Sequence, residues 1–339
     1  MHILAIESSC DETSVAVVEN SEIKSNVISS QYFHSKFGGV IPELASRTHL
    51  QTITEVYRQA LMEASLTIND IDAIAVTNQP GLLGSLVVGI NFAKGLALAH
   101  NLPIIPINHI EGHIYSGYLQ DPSCGFPAIS LVVSGGHTAL FYVKSFNEYE
   151  IIGLTRDDAA GEAFDKISKL MNLGYPGGPI IDRLAKEGNP RFVEFPRSMI
   201  NSNDFDFSFS GLKTSFRYFI QKNFPHGLTE QNKRDLAASV QTAIVDVLVA
   251  KTLKAAKQFQ VDYVIVAGGV SANSQLKAQM TTELEKLGIK AIFPNIKLSM
   301  DNAAMIGFLA EKKIEELGTN SFRDFTFVAN ANALRAKYR

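Results

Sequence analysis

The order of elements legible along the chain predicts an α/β protein made of two duplicated domains of βββαβαβα type around a central cleft. Three observations carry that prediction. Apolar periodicity alternates between the strand period and the helix period in one order, and that order repeats in both halves. Glycine turns at 81–84, 134–138, 177–178 and 268–269 punctuate both halves. Finally, 339 residues exceed what one hydrophobic core comfortably serves, so two domains are expected.

The first half opens with a strand at 2–7 and a polar loop from Ser8 to Ser14, followed by a strand at 14–19 and another at 24–30. Pro42 suits a first helical turn, and apolar positions recur at helical spacing through Leu61. A strand at 71–77 leads into the glycine turn, where Ser85 is expected to cap a helix running to about His100. The apolar run from Leu102 to Ile107 then reads as a buried strand ending in Asn108-His109-Ile110-Glu111-Gly112-His113.

A second pass follows, with strands at 128–134, 137–143 and 149–155. Helices are expected at about 160–172 and 179–187, then an irregular region from 189 to 211 and a long amphipathic helix from about Lys233 to Phe259. A strand at 261–267, the turn Gly268-Gly269-Val270-Ser271, a helix at 273–287, a short strand at 291–293 and a last helix from Asp301 complete the order. These readings place an N-terminal domain at 1–115 and a C-terminal domain at 116–304 with a helical insertion at 157–235. A helix from about 305 is expected to pack back on the first domain, leaving a tail at 317–339. The tail ends Arg335-Ala336-Lys337-Tyr338-Arg339, a solvated basic end.

Composition narrows the class. With 46% hydrophobic and 19% charged residues, the chain reads as an ordinary globular enzyme. A net charge of −3 disfavours a protein living mainly on phosphate contacts, so a nucleic-acid partner must be held by a local patch or by other subunits. Cys10 and Cys124 give no disulfide framework and fit a reducing compartment. The N-terminus lacks the basic start and apolar run of a signal peptide. The longest apolar stretches read as too short or too Gly-broken to span a bilayer, so no membrane and a cytoplasmic location are expected.

Two histidines four residues apart fall about 40° from each other on one helical face, a spacing that lets two imidazoles share one metal ion. Glu111 falls at about 200°, off that face. The zinc-peptidase pattern His-Glu-x-x-His is therefore absent. Asp301 reads either as an N-cap or as a third, oxygen ligand; a His₂Asp set with open positions suits catalytic zinc or non-haem iron. Glycine turns let backbone N–H groups approach an anion, so the turns together read as phosphate- or nucleotide-lined. The acids at 158, 162 and 165 lie on adjacent faces of one helix, and Asp182 follows a Gly- and Pro-rich stretch, where a carboxylate accepts bonds from a small polar substrate. Phe205 to Thr214 mixes aromatics, hydroxyls and a lysine; it reads as a core strand or as a base-stacking segment. Lys213, Arg217 and Lys222 make this region modestly basic. No serine stands in a nucleophile elbow.

The loop Ser8 to Ser14 and the turn Gly268 to Asn273 resemble the phosphate loop and adenosine turn of the actin-like ATPase superfamily. Ten stretches taken in order resemble the tRNA N6-adenosine threonylcarbamoyltransferase family, in its bacterial and organellar branch. They run from Glu7 to Thr13, Gly38 to Ser46, Pro80 to Gly89, Asn108 to His113, Val133 to Thr138, Asp157 to Lys166, Gly174 to Asp182, Phe207 to Thr214, Gly268 to Asn273 and Asp301 to Met305. His137 after Ser134-Gly135-Gly136 is what points to that branch. Ser299-Met300 before Asp301 departs from the commoner Cys-Thr pair.

The resemblance implies the actin-like fold and one divalent metal, iron or zinc, held by His109, His113 and Asp301. It implies transfer of the threonylcarbamoyl group of L-threonylcarbamoyladenylate to N6 of the adenosine 3′ of the anticodon, with release of AMP, in tRNAs reading codons that begin with A. Val132, Val133, Ser134, Gly135, Gly136, Asp165, Gly178, Asp182 and Asn273 would line the adenylate site. Asp11 or Glu12 would take the amine proton. Implied partners are tRNA, an inactive paralogue in a heterodimer and a small P-loop ATPase. A small-molecule kinase of the same superfamily is the alternative. The paired histidines argue against it, because such kinases hold magnesium mainly through oxygens. A metalloprotease is disfavoured by Glu111, and an inactive paralogue by the presence of all three ligands.

Overall fold

A computed structural model describes residues 1–332, so the basic end from Arg335 to Arg339 lies outside the described residues. Two compact units divide the chain: residues 1–122 together with the chain from 300 onward, and residues 123–299.

The first unit begins with β1 (His2–Glu7), β2 (Glu12–Glu19) and β3 (Glu22–Ser30), a meander of antiparallel pairs. Then come α1 (Pro42–Glu63), β4 (Ala73–Gln79), α2 (Leu83–His100), β5 (Ile104–Asn108) and α3 (His109–Gln120). The sheet order is β3-β2-β1-β4-β5, with β4 parallel to both β1 and β5. Parallel neighbours need crossover helices, and α1 and α2 supply them. Leu4, Ile6, Val15 and Val17 point into one core with Ile53 of α1 and Leu86 of α2.

The second unit repeats the plan. It holds β6 (Ala128–Val133), β7 (Thr138–Val143), β8 (Tyr149–Leu154), α4 (Ala160–Leu170), α5 (Gly177–Ala185), α6 (Ser210–Asn223) and α7 (Glu230–Phe259). After these come β9 (Tyr263–Ala267), α8 (Ser274–Glu285), β10 (Lys290–Ile292) and the single turn α9 (Ile296–Ser299). Its sheet order, β8-β7-β6-β9-β10, is the first unit's order again. The last helix, α10 (Ala303–Leu317), packs on β1, β2 and α3 of the first unit. The strand period explains the fit: residues adjacent to the inward-pointing Leu4 and Ile6 face the other way. On that other face, a Cβ on Gly307 of α10 would come within 3.2 Å of the Ala5 Cβ.

Four expectations need correction. Phe205 to Thr214, expected as a core strand or a base-stacking segment, is neither: Phe205, Phe207 and Phe209 are buried outside any strand, and α6 follows from Ser210. Phe207 makes only an isolated bridge to Thr155, so alternation persisted without a strand. With all three rings buried, none is available to stack a base. Ser85 does not cap α2; it lies inside the first turn, buried, and its hydroxyl donates to the Cys10 carbonyl at 3.2 Å. Helix α7 is not amphipathic, because its buried positions run round the whole helix and include Asp235, Gln241 and Lys251. Two helices, α2 and α7, are long and apolar enough to cross a membrane by length and composition. The glycines of α2 and the scattered charges of α7 hid this in the sequence; α7 is a core helix, 78% buried across its most apolar window.

Candidate active site

Helix α3 owes its start to Asn108, whose side-chain carbonyl accepts from the amides of Ile110 (2.8 Å) and Glu111 (3.4 Å). Such a cap satisfies orphan amides of the first turn. It places His109 at the first helical position and His113 one turn on, with ring centroids 4.7 Å apart. The carboxylate comes from the other end of the unit. Asn302, not Asp301, caps α10, accepting from the Met305 amide at 3.1 Å. Asp301 is therefore released from capping, and its Oδ1 stands 3.4 Å from His109 Nε2 and 3.2 Å from His113 Nε2. The three donor atoms lie within 4.8 Å of one another.

Behind this trio lies a second layer that the sequence did not disclose. Glu7 is fully buried at the end of β1. Its Oε2 is 3.0 Å from His109 Nδ1 and accepts from the Thr77 hydroxyl at 2.5 Å, while its Oε1 accepts from the Ser9 amide at 2.6 Å. The Ser9 hydroxyl also lies 3.2 Å from His109 Nδ1. A carboxylate closing an otherwise apolar strand was the available signal. Glu111 faces elsewhere, in an ion pair with Lys313 at 3.0 Å.

Charge in this site is concentrated and out of water. Burial opposes a charge on His109, yet Asp301 and Glu7 together hold its imidazolium well above the usual histidine range. Burial pushes His113 down. The two imidazoles outweigh burial at Asp301 and hold its carboxyl well below the usual range. Glu12 is pushed up to about 10, first by burial and then by the charges of Asp301, Asp11 and Glu7. A group of carboxylates that resists a further negative charge is the electrostatic counterpart of a cation site. The residues present fit a metal: two nitrogens and one oxygen converge, and the far nitrogen of His109 is oriented by a buried carboxylate, as metal-ligating histidines usually are. His113 Nδ1 is buried without a hydrogen-bond partner among the described residues.

Loop 8–12, which carries Asp11 and Glu12, is fastened at its carbonyls. Cys10 O lies 2.9 Å from His49 Nε2, Ser9 O accepts from the Leu82 amide at 2.7 Å, and Asp11 O accepts from the Gln31 amide at 3.2 Å.

The second unit gathers its own turns. The Val132 and Val133 side chains are buried in the core, so these residues have only backbone to offer. Ser134 closes the β6–β7 turn, donating its amide to the His137 carbonyl at 2.8 Å. Gly135, Gly136 and Gly178 are open: a Cβ there would meet nothing within 4 Å. Gly268, at φ +89°, is the opposite case, because a Cβ would lie 2.4 Å from the Val133 carbonyl. Asp165 accepts from the Gly177 amide at 2.6 Å, and burial pushes its carboxyl up. Asp182 accepts from the Ser274 amide (3.1 Å) and hydroxyl (2.7 Å). Asn273 caps α8 and donates to Gln241 Oε1 at 2.7 Å. The β6 end, the Gly268 turn and the start of α8 are thus tied together within one unit.

The family model described as tRNA N6-adenosine threonylcarbamoyltransferase (TsaD) matches residues 22–308. A Clostridium botulinum (strain Hall) protein of that name is 52% identical over 312 residues, covering 91% of this chain and 92% of the relative. One from Prosthecochloris aestuarii is 51% identical over 327 residues, covering 93% and 94%. Among solved structures, full-length HypF in a phosphate- and nucleotide-bound form superposes with a TM-score of 0.61 at 14% identity, over 94% of this chain and 56% of that one. This last likeness bears on the fold alone, which is the α/β fold of the actin-like ATPases.

Proposed function

The chain belongs to the tRNA N6-adenosine threonylcarbamoyltransferase family, and from that membership we propose how its own residues divide the work of transfer. It is a tRNA-modifying acyltransferase; the kinase alternative is not favoured. The observation that supports a metal-assisted reading most directly is the convergence of His109, His113 and Asp301 on one point.

The reaction joins N6 of adenosine to the carbamoyl carbon of L-threonylcarbamoyladenylate, breaks that carbon's bond to the phosphate oxygen and releases AMP. The adenosine is the one just 3′ of the anticodon in tRNAs reading codons that begin with A. His109, His113 and Asp301 hold a divalent metal, iron in preference to zinc, which when bound supplies Lewis acidity for the carbamoyl carbonyl or the departing phosphate. Glu7 and Ser9 orient His109 for that task. In the second unit, the open backbone at Gly135 and Gly136, beside Val132, Val133 and Ser134, donates amide N–H to the adenylate phosphate. Asp165, Gly178, Asp182 and Asn273 set the shape and polarity around the adenosine. The exocyclic amine is a weak nucleophile, and as its bond to carbon forms it must lose a proton. Asp11, on the fastened first loop, takes that proton; Glu12 beside it, pushed up to about 10, would do so only if a bound cation offset the charges of Asp301, Asp11 and Glu7.

The partners in this reading are tRNA, an inactive paralogue in a heterodimer and a P-loop ATPase, with a separate synthase supplying the adenylate. Sharing RNA contacts across such an assembly accords with a net charge of −3. A cytoplasmic location is part of the same reading, and two cysteines in 339 residues fit a reducing compartment.

The deciding experiment incubates the protein with its partners, tRNA, threonine, bicarbonate and ATP, then digests the tRNA for nucleoside mass spectrometry. Threonylcarbamoyladenosine is expected. Its absence beside a working reference system would overturn the assignment.

A further inference from the structure

Between Asp206 and Glu230 the chain has no acidic residue, yet Lys213, Arg217, Lys222 and His226 fall there. Most of that stretch is α6. At about 100° per residue, Lys213, Arg217, Gln221, Thr214, Tyr218 and Lys222 follow one another round roughly half the helix circumference. On the opposite side, Leu212 and Phe216 are buried in the core of the second unit. Tyr218 is 68% exposed, a large value for an aromatic ring, and Arg217 and Lys222 are exposed beside it.

None of Lys213, Arg217 and Lys222 has an ion-pair partner among the described residues. That distinguishes them from neighbours in the same unit. Arg156 pairs with Asp204 and Asp206, Lys166 with Asp158 and Glu162, and Arg197 with Asp246. The acid nearest the start of α6, Asp157, is already engaged by the Ser208 hydroxyl, the Phe209 amide and the amide and hydroxyl of Ser210. On a chain with an excess of acids, an acid-free helix with three uncompensated cations and an exposed aromatic is a local departure in both charge and polarity.

We propose that the outer face of α6 docks the substrate tRNA, with Lys213, Arg217 and Lys222 on backbone phosphates and Tyr218 stacked on an unpaired base. The proposal rests on the tRNA-modifying reading given above. Charge complementarity selects the occupant: phosphodiester oxygens match the cations, and an unstacked base matches the ring between them. Lys213 and Lys222 lie about 14 Å apart along the helix axis, so they reach different phosphates.

The test uses the complete system with unmodified protein, Arg217→Gln/Lys222→Gln and Tyr218→Ala. Losing two phosphate contacts flattens the slope of log affinity against log salt by about 1.4–1.8. Losing the stacked ring weakens tRNA binding about fivefold or more. Both effects appear in KM for tRNA and spare KM for the adenylate. Unchanged salt slope and KM, with product still made, overturn this face alone. Variants that lose association with the partner proteins, while tRNA binding by the isolated chain is unmoved, assign the face to protein contact and also overturn it. Absence of product from the unmodified protein, beside a working reference, overturns the tRNA reading and this face together.

Discussion

Glu7 Oε2 stands 3.0 Å from His109 Nδ1, so the imidazole's other nitrogen is the one presented to Asp301. The carboxylate thus sets the ring orientation from behind. Glu7→Gln keeps a hydrogen-bonding group of the same size and removes the charge. Metal affinity, measured by competition with a chelator, is expected to fall about 10–100-fold, with thermal stability of the metal-free protein far less affected.

The proposed ligands make a sharper case. His109→Ala and Asp301→Ala should each lose bound metal in elemental analysis of purified protein. Wild-type metal content in either variant would remove that residue from the ligand set. Asp11→Asn should keep its metal and lose turnover; full turnover with normal metal would remove Asp11 as the proton acceptor.

Glycines of two kinds separate packing from ligand approach. Gly268→Ala forces a Cβ to 2.4 Å from the Val133 carbonyl in a left-handed backbone conformation, so it should destabilise by about 1–3 kcal/mol or more. Gly178→Ala meets nothing within 4 Å and sits in a helix, so stability should hold or rise by up to about 1 kcal/mol. If the adenylate approaches there, its KM rises all the same. A Gly178→Ala protein with unchanged KM would remove Gly178 from the adenylate site.

Asp157 supplies the pH dependence. Burial raises its carboxyl, but the hydrogen bonds from Ser208, Ser210 and the amides of Phe209 and Ser210 prevail and hold it below the usual range. A group depressed in the folded state stabilises fully above its unfolded value and loses that contribution as pH falls through its folded value. Asp157→Ala should therefore cost about 1–2 kcal/mol in urea unfolding near pH 7, in the manner of a lost helix cap. The difference from the unmodified protein should close as pH falls below about 4.

Lys251 is only 1% exposed, yet its ammonium donates to Ser202 Oγ at 2.6 Å and to the Asp204 carbonyl at 2.8 Å. It pins an irregular segment to α7. Lys251→Ala should destabilise by about 1–3 kcal/mol through those unmade bonds. Metal content should be unchanged.

Much of this was legible in the sequence because the signals were local. Strand alternation, helix spacing and glycine turns gave both sheets their elements within one or two residues. His109 and His113 were legible for the same reason: one turn of helix puts them together. Asp301 needed a family resemblance, since nothing local links it to residues almost two hundred positions away. Glu7 was missed because an acid closing an apolar strand reads as an ordinary strand end until its buried partners are in view. Helix α6 was missed because Phe205, Phe207 and Phe209 alternate like a strand, and burial of alternate rings in an extended segment needs no sheet partner. Ser85 and Asp301 each looked like caps, yet the side chain that caps α10 belongs to Asn302, and Leu82 before α2 offers none.

The contact between His113 and Asp301 spans 188 residues of chain, and the whole second unit is threaded between its two ends. During synthesis the proposed ligand set is therefore incomplete until about nine-tenths of the polypeptide has been made and α10 has docked on β1. An ion seated there acts as a removable staple on a very long loop, bound by the folded chain and not by the unfolded one. It makes the persistence of the last helix on its sheet a function of free metal concentration, rising as RT ln(1 + [metal]/Kd).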